Sequence, residues 1–402
     1  MTYAGNCRLG DLFARRSERG RPGVPIFSVT MTNGLVDRDD LDRKQETNLA
    51  AHEHLLVRPG DIAYNTMRMW QGAFGLADRE GLVSPAYVVL RAKPNTDPEY
   101  AAQLLRTPRM RYLLRAYSYG LTDDRLRLYF EDFAAIPATV PSIEEQRRIA
   151  RILRAWDQAI FAAEQLLANQ TSQRQALSER MLKPPVEDLD EVPAFCSGAR
   201  GWKRCALGQI ARIASGGTPE RGEPTYWGGS VPWVTTGEIQ FNTIAATAEQ
   251  ITEKGLRSSS AKLFPPGTLL MAMYGQGKTR GQVAKLGIEA ATNQACAAIL
   301  LHEGHDSEFY FQYLSAQYEA IRELGNAGTQ QNLSGGILKG LIVPVPPVDE
   351  QRRIAKVFST LDHAIRLVRE QIAALRKEKT ALMAQLLTGK RRVPMPDAGA
   401  AP

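Results

Sequence analysis

Residues 272–279 read Ala-Met-Tyr-Gly-Gln-Gly-Lys-Thr and fit a permissive form of the phosphate-cradling P-loop pattern. That chemistry needs a strand before the loop and a helix after it, whose N-terminus holds the phosphates. The apolar run 266–274 supplies the strand. Gly281 and Gly287 break the residues that follow, and no aspartate stands where a second strand would offer one to magnesium. A DNA-facing loop is the better reading, with Lys278, Thr279 and Arg280 available to phosphates or base edges.

Other chemistries fare no better. Ser84-Pro85-Ala86-Tyr87 is not the Asn/Asp-Pro-Pro-Tyr/Phe of an amino-methyltransferase, and no glycine-rich loop is placed for a methyl donor. His52-x-His54 and His302-x-x-His305 lack a third ligand of matching type, so no metal site is expected. Cys7, Cys196, Cys205 and Cys296 form no CxxC pair and read as reduced thiols. No stretch reaches the ~18 apolar residues of a membrane span. Met1–Gly10 has no apolar signal core, so a cytoplasmic location is expected. The net charge of +7 puts +5 in residues 341–402, which leaves the rest only mildly basic. Bulk charge therefore does not establish a nucleic-acid partner; the placement of charges must.

Side chains suited to reading bases cluster after the first strong strand of each half. The first loop carries Asn65, Arg68, Trp70 and Gln71; the second carries Tyr274, Gln276, Lys278, Thr279 and Arg280. Arg68 and Arg280 match guanine, Gln71 and Gln276 adenine. Asn293, Gln294, Gln330, Gln331 and Asn332 form a second rank, for which hydrogen bonding within turns is the alternative. Arg106, Arg109, Arg111 and Arg115 suit either a solvated face or a phosphate-contacting one. Tyr226, Trp227 and Trp233 read as packing residues, and Gly216-Gly217 as a turn.

These loops need a frame, and a long repeat provides it. Glu-Gln-Arg-Arg-Ile-Ala occurs at 145–150 and again at 350–355, each copy after a Val-Pro step. Asp157-x-Ala159-Ile160 returns as Asp362-x-Ala364-Ile365. A period near 205 residues is too long for a solenoid and means one module used twice. Each copy opens a helix of about 40 residues, roughly 60 Å long. Ser142 and Glu145 suggest a capping box for the first, and Pro184-Pro185 stops it. The apolar seams run through Ile149, Ile152, Trp156, Ile160 and Leu166, and through Ile354, Val357, Leu361, Ile365 and Val368. A helix this long with a narrow seam needs a partner helix, and its own repeat is the nearest; two separate core helices are the alternative. The expected order is a domain over 1–140, a helix over 141–183, a Pro-rich linker over 184–200, a second domain over 201–345, a helix over 346–389 and a basic tail over 390–402.

The chain resembles the specificity subunits of type I restriction-modification enzymes. The motifs are Ser215-Gly216-Gly217-Thr218-Pro219, Tyr226-Trp227, Val231-Pro232-Trp233-Val234, Thr236-Gly237-Glu238-Ile239, Gly281-Gln282-Val283-Ala284 and Ala291-Thr292-Asn293-Gln294, with Pro-x-x-x-Glu-Gln-x-x-Ile-Ala before each helix. The first half carries Gly60-Asp61-Ile62 and Met67–Gly72 but lacks the Ser-Gly-Gly-Thr-Pro opening. The resemblance implies an α+β fold of two small target-recognition domains, separated by an intramolecular antiparallel coiled coil with pseudo-two-fold symmetry. It implies a non-catalytic chain that reads a bipartite, asymmetric site in double-stranded DNA. It also implies two modification subunits carrying S-adenosylmethionine, and restriction subunits using ATP and magnesium. A P-loop NTPase, a stand-alone DNA methyltransferase and a coiled-coil adaptor without a DNA role are the competing classes.

Overall fold

The computed structural model describes residues 6–41, 49–182, 201–275, 278–325 and 332–393. The expected linker 184–200, Gln276, Gln330, Gln331 and tail residues 394–402 lie outside them. The fold is α+β and divides into two compact units, Met1–Glu164 with Glu370–Pro402, and Gln165–Arg369.

The first unit runs β1 (Asn6–Arg8), α1 (Leu9–Leu12), β2 (Phe13–Arg16), β3 (Phe27–Thr30), β4 (Gly34–Asp37), β5 (Leu55–Val57), β6 (Ile62–Asn65), β7 (Phe74–Leu76), β8 (Gly81–Val83) and β9 (Tyr87–Ala92). Then come α2 (Pro98–Leu105), α3 (Pro108–Ala116), α4 (Phe130–Ala135), β10 (Pro137–Thr139) and the start of α5 (Ile143–Met181). Its main sheet is antiparallel in the order β2-β9-β6-β7. Successive residues point to opposite faces of a strand. Ile62, Tyr64, Val88 and Leu90 enter one core, shared with α2 and α5, while Ala63 and Val89 enter another beneath β3, β5 and β8. Both faces are covered, which is why these strands read as unbroken apolar runs.

The second unit repeats this order with a larger insertion. It has β11 (Lys203–Ala206), α6 (Leu207–Ile210), β12 (Ala211–Ser215), β13 (Trp227–Val234), β14 (Thr243–Ile244), β15 (Glu249–Ile251), α7 (Glu253–Arg257) and β16 (Leu263–Phe264). There follow β17 (Leu269–Ala272), β18 (Val283–Leu286), β19 (Ala290–Thr292), β20 (Cys296–Leu301), α8 (Ser307–Ala316), α9 (Tyr318–Leu324), α10 (Gly335–Gly340), β21 (Ile342–Val345) and the start of α11 (Val348–Leu386). The sheets are β12-β20-β17-β18-β14 and β15-β13-β19-β16. Gly216 and Gly217 serve close approach: a Cβ on the first would stand 2.0 Å from the Thr292 carbonyl oxygen, and on the second 2.4 Å from the Ala261 nitrogen.

Both long helices span 39 residues and pair antiparallel within each unit. In the first, Lys379 meets Asp157 at 2.5 Å and Arg376 meets Glu164 at 2.6 Å. In the second, Arg174 meets Asp362, and Leu177, Met181 and Leu182 pack with Ile354, Ala355 and Phe358. The expected seams need correction. Ile149, Ile354, Ile365 and Val368 are buried, but Ile152, Trp156, Ile160, Val357 and Leu361 are only half-buried, and Leu166 is exposed. Leu153 and Phe358 are fully buried instead. Each helix base carries two apolar stripes, one toward its partner helix and one toward the domain it leaves, and a single 3–4 spacing follows neither alone. The capping box is half-formed: the Ser142 hydroxyl accepts from the Glu145 backbone at 3.4 Å, while the Glu145 carboxylate meets Arg392 at 3.5 Å.

Candidate nucleic-acid interface

The repeated hexapeptide is a clamp. Gln146 is 1% exposed; its Oε1 accepts from the Asp97 backbone at 3.0 Å, and its Nε2 donates to the carbonyls of Asn95 (3.2 Å) and Pro141 (2.9 Å). Gln351, equally buried, accepts from the Asp306 backbone at 2.8 Å and donates to the Pro346 carbonyl at 2.8 Å. Asp97 and Asp306 are themselves N-caps, accepting from Tyr100 and Phe309, each at 2.9 Å. Caps of this kind contribute about 1 kcal/mol. One turn further along each helix, Gln103 donates to Asp157, which also holds Lys379; Gln312 donates to Asp362, which also holds Arg174. Each long helix is thus tied to the domain before it and to its antiparallel neighbour through one carboxylate.

On this frame the first candidate loop leaves β6 at Asn65. The Asn65 Oδ1 accepts from the Met67 backbone at 3.0 Å, and a 3-10 turn over Met69–Gln71 follows. Trp70 Nε1 donates to the Met67 carbonyl at 3.1 Å, and Arg68 to the Gln71 side chain at 3.3 Å. Helix α3 holds the loop from outside: Arg111 donates to the Gln71 carbonyl at 3.1 Å, and Arg115 stacks 5.2 Å from the centre of Trp70. Arg106 lies over Phe74, and Arg109 is exposed. Of the four arginines, three therefore brace structure while leaving their positive charge beside the loop.

The second candidate loop runs from β17 directly into β18. Gly281 donates to the Ala272 carbonyl at 2.9 Å and Ala272 to Gln282 at 3.0 Å, which closes a hairpin. A strand stands where a phosphate-binding helix would have to start, so the P-loop reading fails on this geometry. Tyr274 and Lys278 are exposed, Thr279 is half-buried, and Arg280 is 7% exposed, with its Nε near Gly325. Arg280 is placed to hold the loop rather than to meet a base edge. The Tyr318 hydroxyl donates to the Lys278 carbonyl at 2.5 Å, and Phe241 stands edge-on to Tyr318. Phe241 has φ +54°, a strained conformation for an aromatic residue. Its ring would have been hard to single out from sequence.

The second-rank residues divide. Asn293 Oδ1 accepts from the Ala295 backbone at 3.1 Å, a turn role. Gln294 is exposed and accepts from the Thr218 hydroxyl. Asn332 is half-buried. Trp233 is buried with its Nε1 on the Gly217 carbonyl, and Trp227 packs edge-on against it, as packing residues do. Among the described residues no group of three His, Cys, Asp or Glu side chains could hold a metal, and no helix is long and apolar enough to cross a membrane.

Known proteins carry the same plan. Residues 199–377 match the family described as the type I restriction modification DNA specificity domain. A type I restriction enzyme MjaIX specificity subunit from Methanocaldococcus jannaschii is 28% identical over 195 residues, which are 47% of this chain and 43% of that protein. A putative MjaX specificity subunit from the same organism is 23% identical over 402 residues, covering 94% of this chain and 89% of that one. The S subunit of a type I restriction-modification system from M. genitalium has the same fold, with a TM-score of 0.60 at 16% identity over 98% of this chain and 96% of that one. Residues 199–377 thus carry a type I restriction modification DNA specificity domain, and the chain along most of its length is similar to type I restriction-modification specificity subunits.

Proposed function

We propose that the chain reads a bipartite, asymmetric site in double-stranded DNA and performs no chemistry of its own. The two units share one frame but carry different loops at the same place in it, 65–72 in the first and 273–282 in the second; this observation carries the reading. A common frame with unlike loops suits two unlike half-sites. The exposed cations Arg68, Arg109 and Lys278 suit phosphate or base contacts. Arg280 is withdrawn from the base-reading set because of its burial, and Asn293 is retained only as a turn residue.

The long helices suit two further tasks: fixing the number of unread base pairs between half-sites, and docking two modification subunits in equivalent places. A helix of 39 residues rises about 58 Å, and protein geometry sets half-site distance in other paired readers. The modification subunits would bring S-adenosylmethionine and methylate adenine; restriction subunits would bring ATP and magnesium. Such a complex would work in the cytoplasm, where the chromosome is. The test is to co-express the chain with a modification subunit and map methylated adenines across the host genome. One bipartite motif, present only with this chain, supports the reading. Methylation at the same sites without the chain would refute it.

A further inference from the structure

In the first unit, residues between α3 and α4 fold back as a ribbon-like loop closed by a single antiparallel bridge. Tyr119 and Arg127 exchange both backbone hydrogen bonds, at 2.9 and 2.8 Å. Gly120 permits the tight return: a Cβ there would stand 2.5 Å from the Arg125 carbonyl oxygen. The ribbon is fastened at its base, where Leu128 is fully buried and its N–H donates to the Thr66 carbonyl at 2.9 Å. Beyond that anchor Leu126 is half-buried, and several side chains face water. Tyr119 is 65% exposed and Leu121 94%, and Asp124, Arg125 and Arg127 are exposed too. The ribbon therefore stands beside the 65–72 loop and the arginine-bearing face of α3.

The two neighbours differ in what they have left to offer. In the loop, Asn65 and Trp70 bond to its own backbone, and Arg68 and Gln71 bond to each other. In the ribbon the Asp124, Arg125 and Arg127 side chains are exposed. Exposed side chains of these kinds suit the major groove, where arginine pairs with guanine, a carboxylate accepts from cytosine, and an apolar side chain meets the thymine methyl. The second unit repeats the anchor: Leu333 is buried and donates to the Met273 carbonyl at 3.0 Å. Gln330, Gln331 and Asn332 fall just before Leu333, where Arg125 and Arg127 fall just before Leu128. The same place in the repeat thus bears guanine-type side chains in one copy and adenine-type side chains in the other.

We propose that the 119–127 ribbon is the principal base reader of the first unit, with Arg125 and Arg127 as its specificity-determining side chains. This rests on the DNA-reading function proposed above. The test uses the full chain in complex with its modification subunit, carrying Arg125→Ala, Arg127→Ala or Arg127→Lys, with methylation sites mapped on random-sequence DNA and melting temperature recorded as a check on folding. The expected result is a relaxed preference at one or two positions of one half-site, with discrimination falling roughly tenfold or more per arginine. The other half-site stays unchanged, and Arg127→Lys, which keeps the charge and loses the fork, is also relaxed. An unaltered motif in the folded alanine variants overturns the proposal. So does a uniform loss of affinity with preference intact, because the ribbon would then only hold phosphates. A wild-type complex that methylates no defined motif would instead sink the underlying DNA-reading function, so the two failures are distinguishable.

Discussion

Replacing Gln146 by leucine removes the clamp at the base of α5 while nearly keeping its volume. The side chain is 1% exposed and makes three hydrogen bonds to backbone groups. The Asp97 N–H loses its acceptor, at a cost of about 1–3 kcal/mol for a buried orphan donor. The carbonyls of Asn95 and Pro141 lose one donor each, a further ~1–2 kcal/mol together. Burying leucine in place of an amide returns about 1 kcal/mol. The net loss is about 3 kcal/mol, or roughly 6–12 °C in melting temperature for a unit of this size. Two units need not melt together, so hydrogen exchange at α2 should accompany calorimetry. Amides of Tyr100–Leu105 should lose protection roughly 100-fold if they open with the clamp. Gln351→Leu should act likewise on α8. If Gln146→Leu melted within about 2 °C of wild type with α2 protection unchanged, the clamp would be ornamental and the repeated hexapeptide would need another explanation.

Other consequences can be measured separately. Arg280→Ala should lower the stability of the second unit by about 2 kcal/mol and leave the methylated motif as it was; a changed motif would restore Arg280 as a reader. Arg109→Ala should weaken binding to all sequences alike and reduce the slope of log affinity against log salt by about 1. Burial, with Glu238 adding to it, pushes the Cys296 thiol up to about 12. Its contribution to stability is then intact below the ordinary thiol value of about 9 and is lost as pH rises toward 12, by up to ~1.4 kcal/mol per pH unit. Cys296→Ala should remove that slope from urea unfolding compared at about pH 8 and pH 10; parallel slopes in the two proteins would contradict it. A double-mutant cycle on Asp157 and Lys379 should give a coupling of about 1 kcal/mol, since the carboxylate is half-exposed. Zero coupling would mean that the pair adds nothing to the stability of the frame.

Much of this frame was legible in the sequence, because an exact repeat of six residues marks a position where backbone geometry tolerates little change. The strands were legible for a related reason: covered on both faces, they carry unbroken apolar runs. A further signal stands in the sequence. Asp97-x-Glu99-Tyr100-x-x-Gln103 returns as Asp306-x-Glu308-Phe309-x-x-Gln312, which is the domain side of the clamp, with cap and carboxylate-binding amide included. The seam residues were only partly legible, since a helix base that faces both a domain and a partner helix carries two stripes whose spacings overlap. The strands that lead into the candidate loops are legible along the chain; the internal bonds of those loops are not. Whether an arginine turns outward, like Arg68, or inward, like Arg280, depends on Gly325 and other neighbours dozens of residues away. The ribbon over 119–127 was missed because its register depends on one long-range anchor, Leu128 on Thr66, and not on a strand pattern of its own.

The distribution of sameness and difference follows from what each part must do. Clamp and anchor contacts go mainly to backbone atoms: Gln146 and Gln351 to N–H and C=O groups, Leu128 and Leu333 through their own N–H. Such contacts constrain the chain's path and are indifferent to the side chains presented beyond them. The residues before each anchor can therefore change in kind and number without disturbing the frame; in sequence, 117–127 separate α3 from Leu128, and 325–332 separate α9 from Leu333. The carboxylate nodes are less permissive. Asp157 and Asp362 each bind an amide from the domain and a cation from the opposing helix, so a shift of either helix by one residue would break both bonds at once. The cation itself has diverged, lysine at 379 and arginine at 174, which a node needing charge and reach rather than a fork can accept. Specificity is free to evolve in these units because the bonds that hold their geometry make so little use of the side chains that would read DNA.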